Sequence, residues 1–289
     1  MHLKKLFVIF GILFLLSGCT RTTTKNEPQK ENEKVQSSSL YELNEVKDDL
    51  TKVVINSGVG EIIVKEGETF SVVGENIIKD WVSSEYNNGE FLLNYSPEKP
   101  EDIKGIDTSS HKIIFTLPKE HNISFAEFVN GVGEVYLSDF EIPEIYITNG
   151  TGNVNAENIA SDNVTFECGI GDVNVSNLSV NNVTKILSGI GNSEVSGDLL
   201  GKIIVESGTG NVLLNLNQSK DKYEIKHDSF LGAITVNGEK LESNYIDFEW
   251  EETDIKVEKE NDEVDTENGD KNLIIIDGGI GDVSINFAE

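Results

Sequence analysis

The chain has 289 residues, of which 51 are acidic and 23 basic, so its formal net charge is −28 at neutral pH. Nucleic-acid binding requires a basic face, and a body of this charge is repelled by anionic lipid. The acidic excess therefore excludes a nucleic-acid partner and a protein that lies flat on a membrane, but it identifies no ligand.

The first nineteen residues have the pattern of an exported precursor. Two lysines precede an apolar run from Leu6 to Leu16, which is shorter than the roughly 20 residues that a membrane-spanning helix needs. The segment Leu16-Ser17-Gly18-Cys19 then resembles the bacterial lipobox. This resemblance implies a signal peptide over residues 1–18 and a lipid, including palmitate, on Cys19. It also implies a location on the extracytoplasmic face of the cell membrane. The alternative is an ordinary signal peptide with a chance cysteine.

The segment after Cys19 predicts a flexible tether. From Thr20 to about Ser39 it has almost no apolar residue, and such segments bury too little surface to offset their ordering entropy. We place the tether at residues 19–49 and one large domain at residues 50–289. Residues 247–270 of this domain contain 12 acids and two lysines, which predicts a solvated loop, with calcium binding as the alternative.

A Gly-x-Gly motif followed by a polar residue recurs along the chain. The first glycines of five consecutive copies are separated by 19, 19, 20 and 19 residues, and two further copies stand apart. The repeat glycines that we assign to corners are Gly131, Gly133, Gly150, Gly152, Gly169, Gly171, Gly189, Gly191, Gly208, Gly210, Gly279 and Gly281, and the early copy has Gly58 and Gly60.

The residues beside each motif alternate between apolar and polar, which is typical of half-buried strands. The positions predicted to point inward are Ile145, Ile147, Val164, Phe166, Thr184, Ile186, Ile203 and Val205 before the motif, Val135, Leu137, Val154, Ala156, Val173, Val175, Val212 and Leu214 after it, and Phe140, Ile159, Leu178 and Leu199 at a second corner. Each unit is therefore predicted to be strand, corner, strand, corner.

Strands this short are stable only when equivalent strands of successive units pair with one another. The sequence thus predicts an all-β fold, a right-handed single-stranded parallel β-helix (β-solenoid) with coils of about 19 residues. Between Glu61 and His121 the period lapses, and Asn87-Asn88-Gly89 predicts a hairpin, so we expect an antiparallel cap there. The last segment, Asn272 to Phe287, returns to the repeat and is expected to close the other end.

The motifs point to structure more than to catalysis. A dinucleotide loop needs a third glycine and a helix, which are absent from this pattern. Asp277 to Asp282 is similar to a calcium-binding repeat, but the polar corner residue is mostly Asn, which favours a ladder of hydrogen-bonding side chains. Lone Cys168 is predicted to be a small buried hydrophobe. We predict no catalytic residues, cofactor or metal.

The serial units, together with Leu117-Pro118 and the segment from Val53 to Val64, resemble the putative adhesin family of bacterial envelope proteins, a toast-rack-type β-solenoid. The resemblance covers about residues 50–287 and supplies no catalytic residues. It implies a non-enzymatic envelope lipoprotein that binds an envelope protein or wall polymer. One alternative is an envelope-stress sensor. Another is a polysaccharide hydrolase or lyase that uses Glu134, Asp172 and Asp282.

Overall fold

The computed structural model describes residues 41–43, 49–227, 231–241, 271–277 and 279–289. These residues form twenty β-strands and three 3₁₀ turns, and they contain no helix long and apolar enough to cross a membrane. The strands are β1 (Tyr41–Leu43), β2 (Lys52–Val59), β3 (Glu61–Gly67), β4 (Ser71–Glu75), β5 (Val82–Asn87), β6 (Glu90–Tyr95), β7 (Lys112–Pro118), β8 (Phe125–Val132), β9 (Val135–Glu141), β10 (Glu144–Thr151), β11 (Val154–Ile170), β12 (Val173–Ile190), β13 (Ser193–Leu199), β14 (Lys202–Thr209), β15 (Val212–Leu216), β16 (Tyr223–His227), β17 (Ile234–Val236), β18 (Glu239–Lys240), β19 (Asn272–Asp277) and β20 (Val283–Phe287). The 3₁₀ turns are Lys79–Trp81, Pro100–Ile103 and Lys220–Lys222.

Parallel pairing arranges most of these strands in two stacks that meet at the Gly-x-Gly corners. The first stack has the order β6-β2-β8-β10-β11-β12-β14-β19-β16. The second stack has the order β7-β3-β9-β11-β12-β13-β15-β20-β17. The long strands β11 and β12 pass through a corner and contribute to both stacks. The fold is thus all-β and mostly parallel, as predicted.

The register places equivalent repeat positions on top of one another. Ile145 pairs with Val164, Val164 with Thr184, and Thr184 with Ile203. Every side chain that the sequence predicted to point inward is buried, so this prediction is confirmed. Burying each aliphatic or aromatic side chain is worth about 1.5–3 kcal/mol, and alternation delivers one such side chain at every second residue.

The predicted antiparallel cap is correct only in part. Strands β5 and β6 form the expected hairpin, with positive φ at Asn88 and Gly89, and β4 pairs antiparallel with β7. However, β6 and β7 pair parallel with β2 and β3, so they form the first coil of the stack and not a separate lid. They do so because their apolar residues alternate with the same period of two and continue the buried columns.

Both ends of the described chain differ from the sequence prediction. Tyr41–Leu43, which we assigned to the tether, pair with β4 as strand β1. At the other end, β19 and β20 lie between β14–β15 and β16–β17, so the final segment is the penultimate coil and does not close the stack. The predicted acidic loop at residues 247–270 lies outside the described residues.

Candidate functional site

The predicted anchor cannot be placed within this architecture. The signal peptide at residues 1–18, the lipidated Cys19 and most of the tether at residues 19–49 lie outside the described residues. The anchor therefore stays a prediction from the sequence, and the candidate sites below belong to the solenoid.

The second glycine of each Gly-x-Gly motif allows the coils to approach closely at the corner. Gly171 has a φ of +146°, and a Cβ atom there would lie 2.1 Å from the carbonyl oxygen of Gly152 in the neighbouring coil. Because a Cβ atom does not fit at such a distance, the position requires glycine. The corner thus has a structural role that fixes the spacing of the coils.

The polar residue after each motif forms the predicted ladder of hydrogen bonds. The backbone N–H of Asp172 donates to Asn153 Oδ1 at 2.9 Å, and that of Asn192 donates to Asp172 Oδ1 at 2.8 Å. In the same way, the backbone N–H of Asn211 donates to Asn192 Oδ1, and that of Asp282 donates to Asn211 Oδ1, each at 2.9 Å. Because the ladder needs only an acceptor oxygen, Asn and Asp serve equally, which explains why both occur without a metal ligand pattern.

Two of the three acids that we considered for catalysis, Asp172 and Asp282, do not form an acid–base pair. The sequence of rungs places Asn192 and Asn211 between Asp172 and Asp282, so these two carboxylates are separated by roughly 14 Å at about 4.8 Å per coil. Glycosidase carboxylates are typically about 5–9.5 Å apart. Glu134 accepts a hydrogen bond from the Tyr136 hydroxyl. The three acids therefore lie in one corner column, and Asp172 and Asp282 are too far apart to act as an acid–base pair.

The lone cysteine and one histidine are held inside the fold. Cys168 is buried, burial raises the pKa of its thiol to about 11, and its Sγ donates to the Gly152 carbonyl at 3.4 Å. His111 is fully buried, with its Nδ1 atom 2.6 Å from the Tyr95 hydroxyl, and desolvation lowers the pKa of its imidazole. Among the described residues, no group of three His, Cys, Asp or Glu side chains is placed to hold a metal ion.

One carboxylate pair was missed by the sequence analysis. Glu206 and Asp277 are register partners on the outer face of the first stack. Burial, followed by the charge of Asp277, raises the pKa of Glu206, while nearby Lys185 opposes the shift. Repeat spacing could not reveal this pair, because strand β19 comes from a segment distant in sequence.

A column of apolar side chains is exposed along the corners. The middle residues of the motifs stack in the order Val132, Thr151, Ile170, Ile190, Thr209 and Ile280. The four apolar side chains are 48–57 % exposed, and two threonines interrupt them. Each is flanked by glycines, so the column is one side chain wide. A strip this narrow has too little area for a stable interface by itself.

A further candidate site is a groove on the outer face of the second stack, with a volume of about 440 Å³. Tyr136, Asn155, Asn174 and Glu194 are register neighbours on β9, β11, β12 and β13 and form one row of its lining. Together with β3 the groove spans five neighbouring strands, which corresponds to about 19 Å at roughly 4.8 Å per strand. Its volume is within the range of small-molecule sites, about 300–1,000 Å³.

The groove combines an aromatic ring, amides, hydroxyls and carboxylates. Tyr136 is 38 % exposed, and its hydrogen bond to Glu134 raises the pKa of its hydroxyl to about 12, so the hydroxyl stays neutral and oriented. Asn174 Nδ2 donates to Asn155 Oδ1 at 3.3 Å. Glu157 and Glu194 also line the groove, whereas no lysine or arginine does so among the described residues. The site thus offers hydrogen bonds and negative charge on a fixed sheet.

The sequence repeat predicts the inward side chains but not this groove. Outward positions such as Tyr136 and Asn174 vary from coil to coil, so the repeat assigns them no common role. An alignment of the coils by their motifs would have revealed the groove. In that alignment the residues two positions after the polar corner residue form one column of polar and aromatic side chains.

Comparison with known proteins identifies the fold family. The family model described as Toastrack DUF4097 matches residues 50–285. A putative cell adhesion protein from Clostridium sporogenes is 16 % identical, with 86 % of this chain and 99 % of that chain covered and a TM-score of 0.37. A putative adhesin from Bacteroides fragilis is 11 % identical, with coverages of 86 % and 98 % and a TM-score of 0.33. A putative lipid binding protein from Parabacteroides distasonis is 11 % identical, with coverages of 87 % and 96 % and a TM-score of 0.42.

No protein with a curated description matches the sequence. The family model, in contrast, covers the whole repeat region and the coils at both of its ends. On this match the chain belongs to the Toastrack DUF4097 family.

Proposed function

We propose that the protein is a lipid-anchored envelope protein that binds an external partner on its solenoid and catalyses no reaction. The observation that carries this proposal is the groove, in which hydrogen-bonding side chains stand on a sheet whose backbone groups are already paired. Because the backbone of such a scaffold is already ordered, binding a ligand costs little further conformational entropy. His111, Cys168 and the ladder carboxylate of Asp172 are engaged in hydrogen bonds within the fold.

The anchor proposal rests on the segment from Leu16 to Cys19. Loss of residues 1–18 removes two lysines and no acid, which takes the formal charge from −28 to −30. A body of this charge is repelled by anionic lipid, so the lipid on Cys19 would hold the solenoid near the membrane without docking it there. Cys19→Ala should release a folded protein into the soluble fraction, and a membrane-bound Cys19→Ala variant would contradict the single anchor.

The binding proposal is tested by recovery of a partner from intact envelopes. The lipidated protein is crosslinked in place, purified in detergent and compared with Tyr136→Ala and with Glu167→Ala, which changes an exposed residue of the first stack. We expect a specific adduct that Tyr136→Ala diminishes and Glu167→Ala retains. Recovery of no specific adduct from either stack would contradict a binding role.

A hydrolase or lyase is the second candidate, and among the described residues the Glu206–Asp277 pair favours it. A carboxyl group with a raised pKa beside a second carboxyl group is the usual arrangement of a glycosidase acid. Release of soluble fragments from purified cell wall or acidic glycans, abolished by Glu206→Gln, would establish this function. Activity that survives Glu206→Gln would remove this pair from consideration.

The finer geometry of the solenoid is also part of the proposal. We propose coils of about 19 residues with a right-handed path. Support for the coil length comes from side-chain hydrogen bonds that join Asn158 to Asp139 and Asn177 to Asn158, each across 19 positions. A crystal structure with a left-handed path between successive corners would refute the handedness.

A further inference from the structure

We infer that the groove on the second stack binds an uncharged or amine-bearing glycan chain, with the Tyr136 ring as the stacking platform. This inference rests on the proposed binding function and names the ligand of that site. It depends on three features of the groove: its backbone, its charge and its arrangement of polar groups.

The backbone of the groove is not available to a ligand. Strands β9, β11, β12 and β13 are each paired on both sides, through β3, β11, β12, β13 and β15. An extended peptide that binds by strand addition needs a free sheet edge with unpaired N–H and C=O groups. The groove lies on a sheet face, so its ligand is recognised through side chains, which suits a sugar chain better than a peptide strand.

The charge of the groove selects among sugars. Glu157 and Glu194 line it, Glu134 holds the Tyr136 hydroxyl, and no basic side chain lines it among the described residues. A uronic acid or phosphate-bearing polymer would place its negative charges beside these carboxylates, which is destabilising. The exposed Lys65, the register partner of Ser138, offsets this repulsion only at the β3 end of the groove. Neutral hydroxyls avoid this repulsion, and a protonated amine is attracted by the carboxylates.

The polar groups of the groove match hydroxyl and amide recognition. The bond between Asn174 Nδ2 and Asn155 Oδ1 leaves Asn155 Nδ2 and Asn174 Oδ1 without a protein partner in the described part of the chain. These atoms supply one donor and one acceptor on neighbouring strands, which is the pair that a hydroxyl or an acetamido group satisfies. The Tyr136 ring, fixed by its hydrogen bond, offers an apolar face for the C–H side of a sugar ring.

The roughly 19 Å length of the groove favours an oligomer over a monosaccharide, because several rings then contact successive strands. Ile63 at one end and Glu194 at the other are four coils apart. A chain laid across the strands would pass Tyr136, then the Asn155–Asn174 pair, then Glu194.

The test is calorimetric titration of the lipidated full-length protein in detergent with three tetrasaccharides. The probes are chitotetraose, which is neutral, its deacetylated form, which is cationic, and tetragalacturonate, which is anionic. We expect the first two to bind and the third not to. Tyr136→Ala should weaken binding by about tenfold or more, whereas Tyr136→Phe, which keeps the ring, and Glu167→Ala, on the other stack, should stay within about threefold.

Asn174→Ala should independently weaken sugar binding while it keeps the Tyr136 ring. It therefore serves as the test variant if Tyr136→Ala fails to fold. Equal binding of tetragalacturonate and chitotetraose, or unchanged binding by Tyr136→Ala and Asn174→Ala, would overturn the inference. If no sugar binds and envelope crosslinking still yields a protein adduct through the groove, the glycan inference fails while the binding function stands. If envelope crosslinking also yields nothing, both fail.

Discussion

Substitution of Gly171 by alanine should be among the most destabilising single changes in the solenoid. The residue has a φ of +146°, which costs a non-glycine residue about 1–3 kcal/mol. The new Cβ atom would also lie 2.1 Å from the Gly152 carbonyl oxygen, so the two coils must separate at this corner.

Separation of the coils endangers the hydrogen bonds that cross the corner. These include the 2.8 Å bond from Gly152 N–H to the Ile170 carbonyl and the 2.9 Å bond from Asp172 N–H to Asn153 Oδ1. Each is worth about 1 kcal/mol. Adding the conformational cost gives a loss of about 3–5 kcal/mol in the free energy of unfolding for Gly171→Ala.

Gly105→Ala is the matched control, because Gly105 also has a positive φ, +83°, but a Cβ atom there meets nothing within 4 Å. Its cost should be only the conformational term, about 1–2 kcal/mol. Urea unfolding followed by far-ultraviolet circular dichroism measures both losses, and the melting temperatures should differ by roughly 5–10 °C. Equal destabilisation by the two variants would refute the argument that close approach of the coils requires glycine at the corner.

Three further predictions concern the ladder and the buried polar groups. Asn192→Ala should cost about 1 kcal/mol in urea because it removes the acceptor for Asn211 N–H, whereas Asn192→Asp keeps the acceptor and should cost less; equal costs would contradict the ladder. Cys168, whose thiol pKa is raised to about 11, should react with Ellman's reagent at neutral pH only after unfolding, and rapid reaction of the native protein would contradict its burial. Burial lowers the pKa of His111 in the folded protein, so the unfolded chain binds a proton at this imidazole more tightly. The contribution of the neutral imidazole to the free energy of unfolding is therefore complete above about pH 6.5 and is lost as the pH falls towards the folded-state pKa. The urea midpoint should therefore fall less on acidification in His111→Gln than in the wild type, and identical slopes would contradict this.

The repeat identified the interior of the fold because burial is a local consequence of alternation. Ile145 and Phe166 point inward by their position relative to the corner, and stacking then aligns them automatically. The ladder was equally accessible, because residues such as Asn153 and Asp172 recur at a fixed offset and share only an acceptor oxygen.

The order of the coils could not be read in the same way, since stacking joins segments that are far apart in sequence. The copies themselves nevertheless contain a signal. The complete motifs at Gly58 and Gly279 lie in penultimate coils, which need a well-formed corner on both sides. The outermost coils, formed by β6–β7 and β16–β17, lack the Gly-x-Gly pair, because a terminal coil has a neighbour on only one side.

The groove escaped prediction for a different reason. Its character depends on which outward side chains become neighbours, and Tyr136, Asn155 and Asn174 are individually unremarkable polar or aromatic positions. Only the register that brings them onto adjacent strands makes them one surface.

The most direct test of the account is photo-crosslinking in the native envelope, with a photoreactive amino acid placed at Asn174 in the groove or at Glu167 on the outer face of the first stack. Both side chains are exposed and both lie beside buried neighbours, so the two probes are matched in their setting. A binding role through the groove predicts an adduct from position 174 and none from position 167. Adducts from position 167 alone, or from neither position, would contradict it.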